Sequence, residues 1–581
     1  LLFSGCLRKL LPVTSRTSPL PADSLSGALM VCGAASDVGK SVIVAGLCRL
    51  LARRGFSVAP FKAQNMSNNS CVTVDGAEIG RAQYSQALAA GVQPESAMNP
   101  VLLKPTAERT SQVVVMGEVV GETDARSYGD QTRVLFPLVL DALEDLRARY
   151  DIVICEGAGG AAEINLLDRD IVNLRLAAAA ALPALLVGDI ERGGVFAALY
   201  GTVALLPPAL RACVKGFVVN KFRGDPSLLA PGFAELTRRS GVPVFGVLPW
   251  DASLRGLDEE DSMNVGVGVT HVPGAASPLP SAMLDVAVVR FPRLSNFTDL
   301  DPLQAEPGVR LRYVEWADAL GDPDLIILPG TKATVKDLSW LHDTGFAQAL
   351  LTCARPVIFG ICGGFQMLGQ TITDEVESRT GQVRGLGLLP VETVFGPVKL
   401  TRRTRILAFG EEAMGYEIRH GRSHCLPLQD GTRHLRDGAY HFLAPLAQGR
   451  ARGGMETAVG KGGGEGEGAV FRPVTEKSSG DATGEGAAGG TVDTRDSPLG
   501  LVDATERVWG ASMHGLLEND AFRSAFLSRV ALRTGRSFSP TSVCFAEVRQ
   551  ARYDRMADMI ETCLPVAELD RLIESAARRP V

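Results

Sequence analysis

No segment of this sequence is apolar for long enough to cross a bilayer. The longest apolar stretch, Leu176 to Val187, is broken by Pro183 and closed by Gly188 and Asp189, well short of the ~20 residues that a spanning helix needs. Excess basic charge is also missing. Lys and Arg number 59 against 65 Asp and Glu, a net charge of −6, which excludes a large basic surface for nucleic acid. Neither a membrane nor nucleic acid is therefore an expected partner. Cysteine never occurs as a CxxC pair, and eleven cysteines scattered through 581 residues do not frame a disulfide miniprotein. Reduced thiols in a cytosol-like compartment are expected, with Cys32, Cys48, Cys155 and Cys213 acting as small core residues within apolar runs.

What is present is the composition of a soluble globular protein, 46% hydrophobic and 21% charged, long enough for roughly two to four domains. Residues 1–22 contain Arg8, Lys9 and Arg16, several Ser and Thr, and no acid before Asp23. Organelle transit segments and unstructured leaders share that composition. Opening on Leu1 instead of methionine, the sequence reads as a fragment or a processed form, with residues 1–27 a disordered or targeting leader on a chain otherwise expected in the cytoplasm.

From Gly27 the pattern is regular. Ala28–Cys32 reads as a strand, Gly33–Lys40 as a turn, Ser41–Arg54 as a helix and Phe56–Phe61 as a second strand, which makes one βαβ unit. Similar runs at Asp151–Cys155, Ala184–Val187, Gly216–Val219 and Val242–Val247 predict a mostly parallel sheet between helices over residues 28–261. Residues 262–283 read as a linker. A second α/β pattern begins at Leu284–Val289, continues through Asp324–Leu328 and Pro356–Ile361, and spans 284–445 and 501–535. Between those parts, residues 446–500 are rich in Gly, Ala and Glu, with Phe471 the sole aromatic between Phe442 and Trp509. Such a segment buries too little apolar surface to offset its ordering entropy, so a disordered insertion is expected. Residues 536–581 read as a helical extension.

Gly33-Ala-Ala-Ser-Asp-Val-Gly39-Lys40-Ser41 falls between a strand and a helix, the context of a phosphate loop. The glycines, Gly33 and Gly39, let backbone N–H groups close around phosphate oxygens at a helix N-terminus. Lys40 would reach the outer phosphates of ATP, and the Ser41 hydroxyl would sit on Mg²⁺. The usual four-residue interval before Gly-Lys-Ser starts at Ala34, one residue late. Glu156 ends the Asp151–Cys155 strand. An acid there faces the crevice in which such sheets bind ligands and can ligate Mg²⁺; a solvated loop carboxylate is the alternative. Asp189–Gly194 and Asn220–Asp225 follow other strands in the same way, and Asn220 and Lys221 are assigned to the nucleotide. Lys62-Ala-Gln64-Asn65-Met-Ser67-Asn68-Asn69-Ser70 is a dense polar cluster. It is either a capped loop or a substrate contact through Lys62, Gln64, Asn65, Asn68 and Asn69.

In the second half, Gly360-Ile-Cys362-Gly363-Gly364 sets a cysteine at a strand-to-helix turn between small residues. A nucleophile elbow needs that pattern, because the backbone is tight and the thiol must project; the helix N-terminus behind it favours an anion. The cysteine needs a base. Of seven histidines, His514 stands out in Trp509-Gly-Ala-Ser-Met-His514-Gly. His420, His424, His434 and His441 lie in polar surroundings and read as surface residues.

Taken as a set, these motifs resemble the cobyric acid synthase family, the glutamine-hydrolysing amidotransferases of cobalamin biosynthesis. The resemblance runs from about residue 28 to about residue 530, apart from 446–500. It includes Phe61-Lys-Ala-Gln-Asn-Met-Ser-Asn-Asn, Glu156-Gly-Ala-Gly, Ala162-Glu-Ile-Asn-Leu, Asp189 with Arg192-Gly-Gly-Val-Phe, and Asn220-Lys-Phe-Arg-Gly-Asp. Leu328-Pro-Gly-Thr-Lys, Gly360-Ile-Cys-Gly-Gly-Phe-Gln, Gly415-Tyr-Glu-Ile and His514-Gly complete it. It implies an α/β fold: a P-loop domain like dethiobiotin synthetase, then a class I glutamine amidotransferase domain. By the same resemblance Cys362 attacks the side-chain amide of glutamine, His514 is the general acid/base, and N–H groups near Gly330 and Gly363 form the oxyanion hole. Ammonia then passes to the first domain. There, ATP with Mg²⁺ phosphorylates carboxylates b, d, e and g of a corrinoid substrate, adenosylcobyrinic acid a,c-diamide, leading to adenosylcobyric acid.

Some residues depart from the family pattern. Ala34 replaces a usual Thr, Ala511-Ser-Met precedes His514 in place of a Thr-Tyr-Leu type sequence, and Leu516 stands where many class I amidotransferases carry Glu. A Cys–His dyad is the resulting expectation, with Glu518 as a candidate orienting group. Two rival functions share these motifs: a sister amidase that makes the a,c-diamide, and a nucleotide-dependent regulator with an inactive glutaminase domain.

Overall fold

Short runs of β-branched and leucine side chains form a parallel sheet only when both faces are covered. Strand β1 (Gly27–Gly33) meets that condition, with every residue after Gly27 buried. The computed structural model describes residues 25–106, 109–124, 126–254, 279–409, 411–426, 441–442, 444–445, 498–503 and 505–577. The leader up to residue 24, most of the linker (262–278) and most of the insertion (446–497) fall outside the described residues, as does His434.

After β1 come helix α1 (Lys40–Arg53) and β2 (Val58–Phe61). The chain then leaves for an annex built from β3 (Gln64–Met66), β4 (Ser70–Val72), β5 (Glu78–Gly80), helix α2 (Arg81–Ala90), β6 (Val101–Pro105), β7 (Thr110–Val115) and β8 (Glu118–Asp124). Helix α3 (Ser127–Arg149) brings it back to β9 (Ile152–Glu156), β10 (Ala184–Asp189), β11 (Val214–Phe222) and β12 (Val244–Pro249). The main sheet is parallel throughout, in the order β12-β11-β10-β1-β9-β2. Its order changes direction beside β1, so the turns after β1 and β9 open onto one crevice at the carboxyl edge.

The second sheet uses β13 (Leu284–Val289), β14 (Val309–Val314), β15 (Leu325–Leu328) and β16 (Val357–Ile361), followed by the short helix α4 (Gly363–Leu368). A smaller sheet then forms from β17 (Thr371–Asp374), β18 (Gly381–Arg384) and the long hairpin of β19 (Val391–Ala408) with β20 (Glu411–Cys425); β21 (His441–Phe442), β22 (Ala444–Pro445), β23 (Gly500–Val502) and β24 (Val508–Ala511) follow. Strand order is β14-β13-β15-β16-β24-β23-β21, parallel as far as β24. The strand carrying Cys362 and the strand leading to His514 are thus immediate neighbours.

Three helices end the described chain: α5 (Asp520–Thr534), α6 (Phe545–Cys563) and α7 (Val566–Ser575). The last two return to the first sheet. Gly46 of α1 has no room for a Cβ, which would lie 2.4 Å from Met556 and 2.7 Å from Ile560. Arg49 pairs with Asp554 at 2.8 Å and Arg54 with Asp570 at 2.8 Å. Tyr553, Met556 and Ile560 are buried, and each such side chain contributes about 1.5–3 kcal/mol through the area it removes from water.

Among the described residues no helix is long and apolar enough to cross a membrane. Ten cysteines are described and all are free thiols; Cys32, Cys48 and Cys155 are core residues, but Cys213 is only half-buried, one residue before β11.

Candidate active site

The phosphate loop wraps the start of α1. Gly39 has φ 94°, a left-handed conformation that a side chain disfavours, and a Cβ there would meet Asn220 Nδ2 at 2.2 Å. Lys40 Nζ donates to the carbonyls of Ala35 and Gly159, both at 3.2 Å, so the ammonium arches over the loop. A Cβ on Gly33 would lie 3.0 Å from that nitrogen. Ser41 Oγ donates to Glu156 Oε1 at 2.8 Å, Lys62 Nζ donates to the same oxygen at 2.8 Å, and Gln86 Nε2 donates to Glu156 Oε2 at 2.6 Å. Burial works to raise the Glu156 pKa, but the charge and hydrogen bond of Lys62, the Gln86 amide and the charge of Lys40 bring it below the usual carboxylate range. A hydroxyl and an ionised carboxylate lie side by side here, both buried, and Mg²⁺ is commonly held by no more than one or two such protein ligands.

Asn220 and Lys221 brace this loop from the end of β11. Asn220 Nδ2 donates to the carbonyl of Val38 at 2.8 Å, and Lys221 Nζ donates to the carbonyl of Asp37 at 2.6 Å and to Asp189 Oδ2 at 2.9 Å. Of the five residues expected to touch substrate, Lys62, Asn65 and Asn69 are buried. Lys62 is committed to Glu156, Asn65 Nδ2 to Gln83 (3.0 Å), and Asn69 Oδ1 accepts from Thr298 of the second half (3.2 Å). A polar run in sequence becomes interior here because the annex folds over it. Gln64 and Asn68 remain partly open.

In the second half Cys362 has φ 51° and ψ −104°. A non-glycine residue held there is strained, and such strain collects at nucleophile turns. Gly363 starts α4 with its N–H free of helical partners; a Cβ on it would meet Thr331 Cγ2 at 2.7 Å. Gly330, in the turn after β15, lies against the imidazole of His514, whose Cε1 would be 2.9 Å from a Cβ at that position. Gly363 thus follows Cys362 directly, and Gly330 lies beside the imidazole of His514. The Cys362 sulfur is near enough to the His514 imidazole to favour its charged form. Both line a pocket of about 480 Å³, open mouth included, with Gln366, Lys332, Glu377 and His420.

The third member of this group is Asp299. Its Oδ2 lies 2.7 Å from His514 Nδ1, and its Oδ1 accepts from the N–H of Gly515 at 2.8 Å. Burial opposes charge on His514, yet the Asp299 carboxylate and the Cys362 sulfur outweigh it and push the pKa up to about 10. Tyr416 stacks on the imidazole, ring centres 5.5 Å apart. Sequence reasoning missed Asp299, because an Asp in a 3₁₀ turn, Phe297–Leu300, looks like an ordinary helix-start residue. Glu518 does not orient His514. It pairs with Arg81 and Arg549, both at 2.8 Å, and those two arginines hold its pKa at about 2 against burial. His420 is not a surface residue either: it is buried in the pocket wall, Nδ1 3.1 Å from the carbonyl of Gly396.

Comparison with known proteins agrees with this two-site arrangement. Residues 29–265 match the CobQ/CobB/MinD/ParA nucleotide binding domain, and residues 285–440 match the CobB/CobQ-like glutamine amidotransferase domain. The cobyric acid synthase of Frankia casuarinae is 48% identical over 570 residues, 94% of this chain and 97% of that protein. That of Saccharopolyspora erythraea is 48% identical over 556 residues, covering 95% of each. That of Streptomyces avermitilis is 46% identical over 559 residues, 95% of this chain and 97% of its own.

Proposed function

The chain belongs to the cobyric acid synthase family, and from that premise we propose that it amidates a corrinoid with nitrogen taken from glutamine at the expense of ATP. It is a glutamine-hydrolysing carbon–nitrogen ligase. The observation that carries the reading is the presence, in one chain, of a Cys362–His514–Asp299 relay and a phosphate loop whose Ser41 meets Glu156.

Cys362 Sγ attacks the side-chain amide carbon of glutamine. The tetrahedral oxyanion lies toward the N–H groups beside Gly330 and Gly363. His514, held through Nδ1 by Asp299, gives its proton from the other ring nitrogen to the departing nitrogen. Ammonia leaves, and water then releases glutamate from the thioester. Lys332 and Glu377, which form an ion pair at the pocket, offer opposite charges to a zwitterionic amino acid.

At the first site Gly33, Gly39, Lys40 and Ser41 hold the triphosphate, with Asn220 and Lys221 keeping the loop in shape. Mg²⁺ held between Ser41 and Glu156 would neutralise phosphate charge. A bare carboxylate is a poor electrophile, so ATP converts each target carboxylate into an acyl phosphate, and ammonia displaces phosphate. Gln64 and Asn68 face the substrate. The substrate is adenosylcobyrinic acid a,c-diamide, amidated at carboxylates b, d, e and g to adenosylcobyric acid. Mass spectrometry of the product made from the a,c-diamide, ATP and glutamine tests this through the number of amides added. Four additions support it; no reaction with the a,c-diamide but two additions to cobyrinic acid would point to the sister amidase.

A further inference from the structure

Cys362, His514 and Asp299 all belong to the second half of the chain, yet the side chains that hold them in place end on the first. His514 is held on two sides. Asp299 meets Nδ1 at 2.7 Å, and the Tyr416 ring stacks on the imidazole with centres 5.5 Å apart. Backbone pairing fixes only the root of that stack: the N–H of Tyr416 donates to the carbonyl of His514 at 3.0 Å, and the N–H of His514 donates back at 2.8 Å. The far end of the phenol needs an anchor of its own, since a ring fixed only at its backbone can still change rotamer. Asn296 supplies it. The Asn296 amide nitrogen donates to Tyr416 Oη at 3.1 Å and to the carbonyl of Ser70, on β4 of the annex, at 2.7 Å. Next along β4, the Cys71 thiol adds a longer contact to Oη at 3.5 Å. Burial, with the Cys71 sulfur and the Asp299 carboxylate adding to it, pushes the Tyr416 phenol up, so Oη stays neutral and accepts.

Asn296 also begins the 3₁₀ turn Phe297–Leu300 that carries Asp299, and it does so with φ 50° and ψ 37°. That left-handed conformation suits Asn better than most residues with a Cβ, and such backbone strain collects at functional sites. Its carbonyl accepts from the N–H of Asp299 at 3.0 Å. In the same turn Thr298 donates to Asn69 Oδ1 at 3.2 Å, so the turn rests on two adjacent annex residues, Asn69 and Ser70. The second of these is firmly placed. Ser70 pairs with Gly80 in the β4–β5 ladder, and its hydroxyl accepts from Lys104 at 2.7 Å and donates to Glu78 at 2.8 Å. Asn296, Tyr416 and Ser70 are all buried. Although Asn296 lines the glutaminase pocket, its two N–H groups are committed to protein, which leaves none for glutamine.

We propose that Asn296 is a positioning residue of the glutaminase: from one anchor in the annex, Ser70, its amide holds Tyr416 against the face of His514 and steadies the turn that brings Asp299 to Nδ1. The proposal rests on the glutaminase reading above. Its test uses the full chain with three changes. Asn296→Gly removes the amide while leaving the left-handed backbone accessible, Tyr416→Phe removes only the hydroxyl, and a third variant carries both. Glutamate release is followed across glutamine concentrations, beside amide formation fed by ammonium chloride.

Asn296→Gly should lower kcat for glutamate release at least ~tenfold and Tyr416→Phe at least ~threefold, because misplaced reacting groups slow the chemical step. The KM for glutamine and ammonium-supported synthesis should stay within about twofold of the parent chain, a split that a general loss of structure does not produce. Since the two side chains share one contact, the double variant should fall by less than the product of the single effects. Parent-like kcat in both single variants overturns the proposal. So does a raised KM at unchanged kcat, which would make Asn296 a glutamine contact, and so does a double variant equal to that product. Should Asn296→Gly lose ammonium-supported synthesis as well, Tyr416→Phe decides: a lower kcat at constant KM supports the proposal, and a parent-like kcat overturns it. A parent chain that releases no glutamate is a different failure, that of the glutaminase reading itself.

Discussion

Asp299 Oδ2 stands 2.7 Å from Nδ1 of His514 across 215 residues of sequence. The carboxylate accepts the Nδ1 proton, which leaves the other ring nitrogen to serve Cys362. Asp299→Asn keeps the size of the side chain but withdraws the charge. Glutaminase kcat should fall by about 10²–10⁴, with ammonium-supported amidation retained; steady-state glutamate release and an ammonium-fed assay check both halves.

The same substitution has a pH signature. Burial disfavours the imidazolium, but Asp299 and Cys362 raise the His514 pKa from 6.5 to about 10. Without the Asp299 charge the value falls, so the alkaline limb of glutaminase kcat/KM should move to lower pH. For stability the sign follows from a raised folded-state pKa. The contribution of the pair is full below pH 6.5 and is lost as pH rises through about 10. Denaturant titrations of parent and Asp299→Asn should therefore converge at high pH.

Cys362→Ala removes the nucleophile without touching the phosphate loop. Glutamine should cease to support amidation, and ammonium chloride should continue to do so. Loss of both would mean that the sulfur also holds the first half in its working shape.

Glu156 anchors Ser41, Lys62 and Gln86 together in the interior. Glu156→Gln removes the carboxylate that the buried Lys62 ammonium meets, and breaking such a pair costs about 3–5 kcal/mol. Synthesis should stop with either nitrogen source. Adding Lys62→Met should recover much of the stability, read as a denaturation midpoint, but none of the synthesis.

Ile560 touches Gly46 of α1 from the far end of the chain. Ile560→Ala should cost about 2–5 kcal/mol and weaken ATP binding more than glutamine hydrolysis; thermal melts with and without ATP would show it.

Much of this architecture was legible in the sequence. Runs such as Ala184–Val187 and Val286–Val289 are apolar on both faces, which only a covered parallel strand tolerates, and glycines around Lys40 and Cys362 mark turns where the backbone must come close. What was hidden has physical reasons. Asp299, in a 3₁₀ turn, and His514, just past β24, meet only through packing of segments 215 residues apart, and no local pattern records that distance. The polar Lys62–Ser70 run read as a capped loop or a substrate contact, yet the annex buries most of it against other amides and charges. His420 misled for the same reason: it sits on one face of a long hairpin strand, and only the pocket behind that face shows that it is interior.

The helices at 545–575 complete the surface of α1 and β1 near the opposite end of the polypeptide. A ribosome that has translated the whole nucleotide-binding half has still not supplied the pieces that seal it. That half must wait, its apolar flank uncovered, until the glutaminase half has emerged as well. The nitrogen acceptor therefore matures no sooner than the nitrogen donor.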